Sequence, residues 1–394
     1  MRSRAPVLLL PLLLSSPLVA QDVSTSRGIE VELHGIASGT LYLQDAEFGL
    51  GNGQKAQFVN RELAGWWHGG DVRNTRLALA VRGPRVHDDW RANAHVEMDF
   101  FGGFPGAGAF GDEQPQPRLR SAWVELTDGA TALRAGQDWS LTLGNVPIST
   151  SHIGFPLGWG SGGFIGWRFP GIWLSRSLTD SRRSDLNPRL RLAVLQNSWS
   201  DALDPELPAA GNAGLPQLEA RLDLGRGGDD WSAYVAGHWD RKDLNGVRGE
   251  DDPEPEEADL DSWAVVAGAS ATAGPLFLHG NVYSGRAMGH HFAHVVQFGD
   301  IRGWGAWAQA GLSLSRRWSL WGFAGMDDPE DEDVADAGGE RLRSWLIVPM
   351  LRWRSGPYAL GFEWLHARTS FEAPADEEEE RIGNQLLFSV RLDF

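Results

Sequence analysis

The sequence predicts an all-β chain: a transmembrane antiparallel β-barrel of about 16 strands, with a long third loop folded into the lumen. Three observations carry that expectation. First, the last ten residues, QLLFSVRLDF, place Leu386, Phe388, Val390, Leu392 and Phe394 on one parity. Gln385, Ser389, Arg391 and Asp393 take the other, with Leu387 the one apolar intruder. That alternation makes a strand with one oily and one polar face. Ten residues rising about 3.3 Å each and tilted about 40° climb roughly 25 Å, the height of an outer-membrane apolar band. Second, the joins between such segments alternate long and short along the chain, as external loops and periplasmic turns do. Third, no window after residue 20 is apolar enough for a spanning helix, so a membrane form must satisfy its backbone as a closed sheet. A soluble sandwich strand would also alternate, but sandwiches and propellers would not be expected to alternate their loop lengths.

Residues 1–20 read as a cleaved signal peptide. Arg2 and Arg4 give a positive start, Val7 to Leu14 an apolar core, and Ser15 to Ala20 a small-residue end before Gln21. The apolar run is far shorter than the roughly 18 residues of an anchor. Residues 21–394 then form one barrel domain. The mature chain keeps 33 basic against 52 acidic side chains, a net −19, so nucleic acid is a poor partner. Lys55 and Lys242 are its only lysines; the arginine bias suits permanent planar charge at a wall, and a GC-rich genome would produce it equally. With no cysteine, the exported fold must close without disulfides, as a hydrogen-bond ladder does.

Taken in order, alternation gives strands at Ile29–Leu43 and Asp71–Gly83, then the clearest one at Trp90–Phe100. There Trp90, Ala92, Ala94, Val96, Met98 and Phe100 oppose Arg91, Asn93, His95, Glu97 and Asp99. Pro117–Thr127, Thr131–Asp138, Trp167–Ser177, Pro188–Asn197, Pro216–Leu224 and Asp230–Asp240 follow. Leu260–Thr272, Leu276–Gly285, Arg302–Leu314, Trp318–Met326, Arg341–Arg354, Pro357–Thr369 and Gly383–Phe394 complete 16. The joins at 44–70 and 102–116 are long; those at 84–89 and 128–130 are short. An even count puts both termini on the periplasmic side. Trp90, Trp167, Trp239 and Trp318 fall near strand ends, as in interfacial aromatic belts. Outward Ala92, Ala94, Ala267, Ala269, Ala306 and Ala308 would give a flat surface for subunit packing.

Parity sets Arg76, Arg82, Arg91, Arg118, Arg120, Arg134, Arg189, Arg191 and Arg221 on polar faces. An arginine facing mid-bilayer costs roughly 2–4 kcal/mol, which assigns them to the lumen. Glu97, Asp99, Glu219, Asp223 and Glu363 are their expected opponents. Arginine rings favour anions in a pore; the same charges would also serve to pair across the wall and hold its shape. The join from Trp139 to Phe164 carries no charge beyond His152 and is rich in Gly, Ser and aromatics. An exposed loop on so acidic a protein would be charged, so this one is expected to fold inward as a constriction, with Trp139, Asn145, His152, Phe155 and Trp159 its marked residues. An aromatic external loop at a subunit contact is the alternative.

RLRSAWVELTDGATALRAGQDWSLTLG, residues 118–144, resembles the DcaP-like trimeric porins, in which an arginine-bearing strand leads to an AGQ-x-W segment before the inward loop. VEMDFFGG (96–103), GMDDP (325–329) and GFEWLHART (361–369) are similar to further pieces of that pattern. The resemblance is strongest over 72–175. It implies a 16-stranded trimer of the Gram-negative outer membrane that passes small solutes, leaning towards anions such as dicarboxylates. Some members carry an amino-terminal helical extension, for which Gln21–Gly28 leaves no room, so solute choice is not carried over.

Other constellations are weaker. Residues 241–259, 327–340 and 370–382 hold 22 of the 52 acidic residues, read as solvated loops or as carboxylates sharing divalent cations with lipopolysaccharide. His290, His291 and His294 sit close in an external loop, where close histidines can bind transition metals, but with no cysteine and no helix to fix them neither metal nor cofactor is expected. No nucleophile motif stands out, which disfavours an enzyme; a non-conducting structural or adhesive barrel is the other alternative. The expected partners are further copies of the chain, outer-membrane lipid and lipopolysaccharide, small solutes, and the assembly machinery that reads Phe388, Val390, Leu392 and Phe394.

Overall fold

The computed structural model describes residues 23–24, 28–51, 53–102, 115–179, 186–196, 215–225, 231–243, 259–373 and 377–394. The expected signal peptide and most of the acidic stretch 241–259 lie outside these residues. The strands are β1 (Glu30–Phe48), β2 (Val59–Asp71, resuming as Arg76–His87), β3 (Trp90–Gly102), β4 (Gln116–Thr127) and β5 (Thr131–Trp139). β6 (Arg168–Ser177), β7 (Arg189–Leu195), β8 (Gln217–Gly225), β9 (Trp231–Asp243), β10 (Asp259–Ala273) and β11 (Leu276–Arg286) follow. β12 (Arg302–Ser313), β13 (Trp318–Pro329), β14 (Arg341–Ser355), β15 (Tyr358–Ala373) and β16 (Glu377–Asp393) finish the wall. Each strand pairs antiparallel with the next. β16 then pairs with β1, Gln385–Asp393 against Ile36–Gln44, and the barrel closes. The last residue takes part: Gly35 and Phe394 exchange both backbone hydrogen bonds, at 2.7 and 3.0 Å.

The second strand departs from expectation. Val59–Asp71 pairs with the upper half of β1 and Arg76–His87 with its lower half, so the two pieces form one strand interrupted at 72–75. The expected long loop at 44–70 is therefore only 49–58. Register shifts between Gln44, Ala46 and Phe48 break the period-two pattern there, which hid the strand in the sequence. A bulge also reshapes β4, where Glu97 faces Ser121 but Met98 faces Leu119. The extra residue flips the parity, so that Arg118 and Arg120 before it, and Trp123 and Glu125 after it, all turn inward.

The outer surface is an apolar belt. Leu41, Val124, Phe388 and Val390 are 64, 57, 45 and 45% exposed, among many other Leu, Val and Ile side chains. A patch of that extent far exceeds what a water-soluble monomer carries; on a barrel it faces lipid. Trp318 and Tyr358 edge the belt near the short turns, and Trp239, Trp263, Trp304 and Trp364 nearer the long loops. Trp167, expected among them, instead turns inward and packs on Trp159, ring centroids 5.0 Å apart.

Two stretches read as acidic loops are structured. Residues 370–382 are largely the extended tips of β15 and β16, and 331–336 form a short helix, α1 (Asp331–Asp336). Arginines meet many of their carboxylates: Arg61 reaches Glu340 and Glu379, Arg343 reaches Glu378, and Arg368 reaches Glu380.

Candidate functional site: the lumen and its folded loops

The third long loop, 140–167, crosses the interior and is fastened along its whole length. At its start Arg221 of β8 donates to the carbonyls of Leu143 (2.7 Å) and Leu141 (3.3 Å), while Glu219 accepts the Leu141 N–H. Asn145 donates to the carbonyls of Ala269 (2.8 Å) and Gly280 (3.2 Å). Gln309 of β12 holds Ile148 from both sides, accepting its N–H at 2.8 Å and donating to its carbonyl at 2.7 Å. The strongest clamp is Glu363 of β15. One carboxylate oxygen accepts from Thr150 N (2.7 Å), Thr150 Oγ1 (2.7 Å) and Ser151 N (2.9 Å), and the other from Ser149 Oγ (2.7 Å). Charge-assisted bonds of this kind are roughly twice as strong as neutral ones. The approach is close: a Cβ on Gly361 would stand 1.6 Å from Thr150 Oγ1, so this wall position tolerates only glycine.

Beyond this polar spine the loop turns apolar. Phe155, Leu157, Trp159 and Phe164 pack against Trp307, Phe323, Leu346, Val348, Leu365, Ala367 and Leu387, which point inward from β12 to β16. Leu387, the intruder in the terminal strand, is thus a core residue. The first long loop, 49–58, joins the plug, Gln57 donating to the carbonyls of Phe155 (3.3 Å) and Pro156 (3.1 Å). The sixth, 287–301, folds inward too, with Phe292 stacked 4.2 Å from Trp159 and His291 O accepting the Gly166 N–H. His290, His291 and His294, expected on an external loop, are buried in it.

The opposite wall is polar. Arg118 grips Asp99 with two bonds, 3.0 and 2.7 Å, and Arg120 bridges Asp99 (2.7 Å) and Glu97 (2.6 Å). Arg76 stands 3.6 Å from Glu97 and donates to Ile153 O. Arg134 pairs with Glu125 (2.7 Å) and Asp138 and lies over the Trp123 ring. Arg191 and Arg221 share Asp223, at 2.9 and 2.8 Å. Arg91 lies at the short-turn end of β3, opposite Thr127. The structure therefore gathers the predicted arginines on β2 to β8, and most of them pair with carboxylates.

Several predicted pore residues do not face open lumen. Asp99 is fully enclosed by its arginines, Glu219 is buried between Leu141 and His238, and His152 is buried 3.8 Å from Glu363. Trp159 is the centre of the plug, 0% exposed, and Phe155 lies in the same core. Trp139 borders the plug beneath Arg168, whose guanidinium sits 4.9 Å from its ring and 4.3 Å from that of Trp167. Among the described residues, Arg168 Nε and Nη1 have no hydrogen-bond partner. The sequence reading missed Arg168, and also Asn74, Gln57 and Gln309, which dock loop backbone. Arg168 opens β6 directly after Trp167, a Trp-Arg pair at the foot of an inward loop that would have marked it.

Two cavities remain at the short-turn end. One, of about 610 Å³, is lined by Arg134, Arg189, Arg191 and Arg221 with Glu125 and Asp138 as its carboxylates, and by Leu141–Gly144 of the loop. The other, of about 390 Å³, is lined by Arg76, Arg352, Arg354 and Arg391 with the single carboxylate Asp393, and by loop residues 146–150. The third loop thus lies between two arginine-rich vestibules.

No protein-family profile and no curated protein sequence matches the chain. Solved structures do. The outer membrane channel DcaP of Acinetobacter baumannii superposes with a TM-score of 0.72 at 14% identity, over 94% of this chain and 99% of that one. A Salmonella typhi OmpF, in complex with daunomycin, gives 0.58 at 12% identity, over 95% and 100%. An anion-selective porin from Comamonas acidovorans gives 0.57 at 14%, over 93% and 100%. The chain is a closed 16-stranded antiparallel β-barrel with the fold shared by the outer membrane channel DcaP and these porins.

Proposed function

We propose that the chain is a passive outer-membrane porin, a diffusion path for small hydrophilic solutes that favours anions. The observation that carries this reading is the charge of the two vestibules, four arginines each against two carboxylates in one and one in the other. In a protein whose mature net charge is −19, that local excess of positive charge is the reverse of the average. A positive, low-dielectric mouth concentrates anions and lowers their entry barrier. The third loop, residues 140–167, narrows the path, and Arg118, about one-fifth exposed, lies beside the aromatic rings of Phe101 and Phe155 at its edge.

The working unit is a homotrimer in lipid and lipopolysaccharide. The outward face of β10 to β13, where Ala267, Ala269, Gly280, Ala308, Ala310, Gly322 and Ala324 leave a shallow flat groove, supports that packing. Residues 1–20 direct export, and Phe388, Val390, Leu392 and Phe394 form the strand that the assembly machinery reads. Reversal potentials across a KCl gradient in planar bilayers test the selectivity. Chloride preference is expected, and Arg189→Glu with Arg191→Glu should move it towards cations; cation preference in the native chain would overturn the reading. The dry packing of three loops inside the barrel favours one alternative, a non-conducting structural barrel, for which no single-channel steps would be recorded.

A further inference from the structure

Where the sixth loop docks onto β9, three imidazoles converge from separate stretches of sequence. His238 of β9 and His290 and His291 of the loop are all buried, and their ligand atoms lie within 4.8 Å of one another. We propose that these three histidines, with Asp240, form a binding site for a divalent transition-metal ion of the zinc type.

On His238 and His291, the partner of the other ring nitrogen distinguishes the cluster from three packed rings. His238 donates from Nδ1 to Glu219 at 3.0 Å, and its Nε2 has no hydrogen-bond partner. A carboxylate on one ring nitrogen, with the other nitrogen bare, is the arrangement that orients a metal-ligating histidine and raises its basicity. His291 donates from Nε2 to Gln217 Oε1 at 3.1 Å, which leaves Nδ1 as the lone pair, 3.0 Å from Thr142 Oγ1. Asp240 completes the set, one oxygen 3.7 Å from His238 Nε2 and the other 4.0 Å from His290 Nε2. A tetrahedron whose ligands sit about 2.0–2.1 Å from zinc has edges of about 3.3–3.4 Å, so binding would draw this looser set of donors together.

A cation already stands at the Asp240 and His290 side of this donor set. Lys242 Nζ is 2.8 and 2.7 Å from the Asp240 oxygens and 3.5 Å from His290 Nε2. The ammonium and a metal ion would compete for the same carboxylate, so the lysine sets the affinity. Occupancy would tie β9 to the sixth loop through His290 and His291, and to the third loop through Glu219 and Leu141 N, with Thr142 Oγ1 giving up His291 Nδ1 to the metal.

The test is titration of the chelator-stripped, detergent-folded barrel with ZnCl₂ by calorimetry, and with CoCl₂ by visible absorption. One ion per chain is expected, with the intense band of tetrahedral cobalt. His238→Ala and His290→Ala should each weaken binding by about 10-fold or more. Lys242→Met should tighten it by a similar factor, a readout that does not depend on the histidine variants folding. No saturable binding to the native chain or to Lys242→Met, or binding unchanged in His238→Ala with His290→Ala, would overturn the proposal.

Discussion

The two sides of this barrel are built from the same alternating strands but use their inward positions oppositely. From β2 to β8 the inward residues are arginines and carboxylates, paired to one another and bordering cavities. From β12 to β16 and into β1, the inward residues towards the long loops are Trp307, Phe323, Val348, Leu365, Leu387 and Phe48, covered by the third loop. The difference teaches that a strand's polar parity does not by itself mean a wet lumen. What decides is whether a loop lies over it: a charged wall without cover keeps its water, and an apolar wall with cover becomes a core. The resemblance motifs fall on both sides and serve this division. GFEWLHART supplies Gly361 and Glu363 to clamp the loop and Leu365 and Ala367 to pack it, whereas VEMDFFGG supplies Glu97 and Asp99 to the arginines.

Breaking the covered side should have the largest effect. Trp159 is fully buried and packs on Trp167 of its own loop and on Phe292 of the sixth, so Trp159→Ala should cost about 3–5 kcal/mol. Thermal unfolding in detergent would measure the loss, and amide exchange at 140–167 should rise more than in β2 to β8. Equal protection on both sides would break the comparison.

Glu363→Ala should act less on the fold and more on the loop. It removes a carboxylate that accepts from four donors on Ser149, Thr150 and Ser151; water takes up those donors as the loop leaves the wall, so the net cost stays below that of Trp159→Ala. The barrel should still migrate as a heat-modifiable band. Its single-channel conductance should rise and become noisier as the loop leaves the wall.

The smallest effect is that of acid. Burial pushes the His294 imidazole down to about 3, and among the described residues neither of its ring nitrogens has a partner. Above the ordinary imidazole value of about 6.5, docking of the sixth loop takes up no proton and is indifferent to pH. Below it, the undocked loop binds a proton that the docked loop refuses, so docking weakens steadily as pH falls from 6.5 towards 3. Tryptophan fluorescence, through the Phe292–Trp159 contact, should report that loosening, and His294→Leu should flatten it.

Much of the wall was legible in the sequence because lipid outside forces strict outward apolarity whatever lies within. The terminal strand, its pairing back to β1 and the inward fold of the join 139–164 all followed from parity and from the missing charge of that loop. The start of β2 was not legible, since its register shifts remove the alternation that identifies a strand. Nor was the dry half of the interior. In β14, Leu346 and Val348 point inward and Ile347 and Leu351 outward, so both faces read as apolar and only the covering loop explains it. The histidine cluster was half visible: His290 and His291 stand together in sequence, but His238 reaches them only through the fold.

The division between a covered and an open wall can be tested directly because the chain contains no cysteine. Single cysteines at Arg189, on the open side, and at Val348, beneath the third loop, would be challenged with a charged, water-soluble methanethiosulfonate in the folded barrel. Rapid modification at 189 and protection at 348, lost when Glu363→Ala is added, is the predicted result. Equal rates at the two positions in the native barrel would contradict the account.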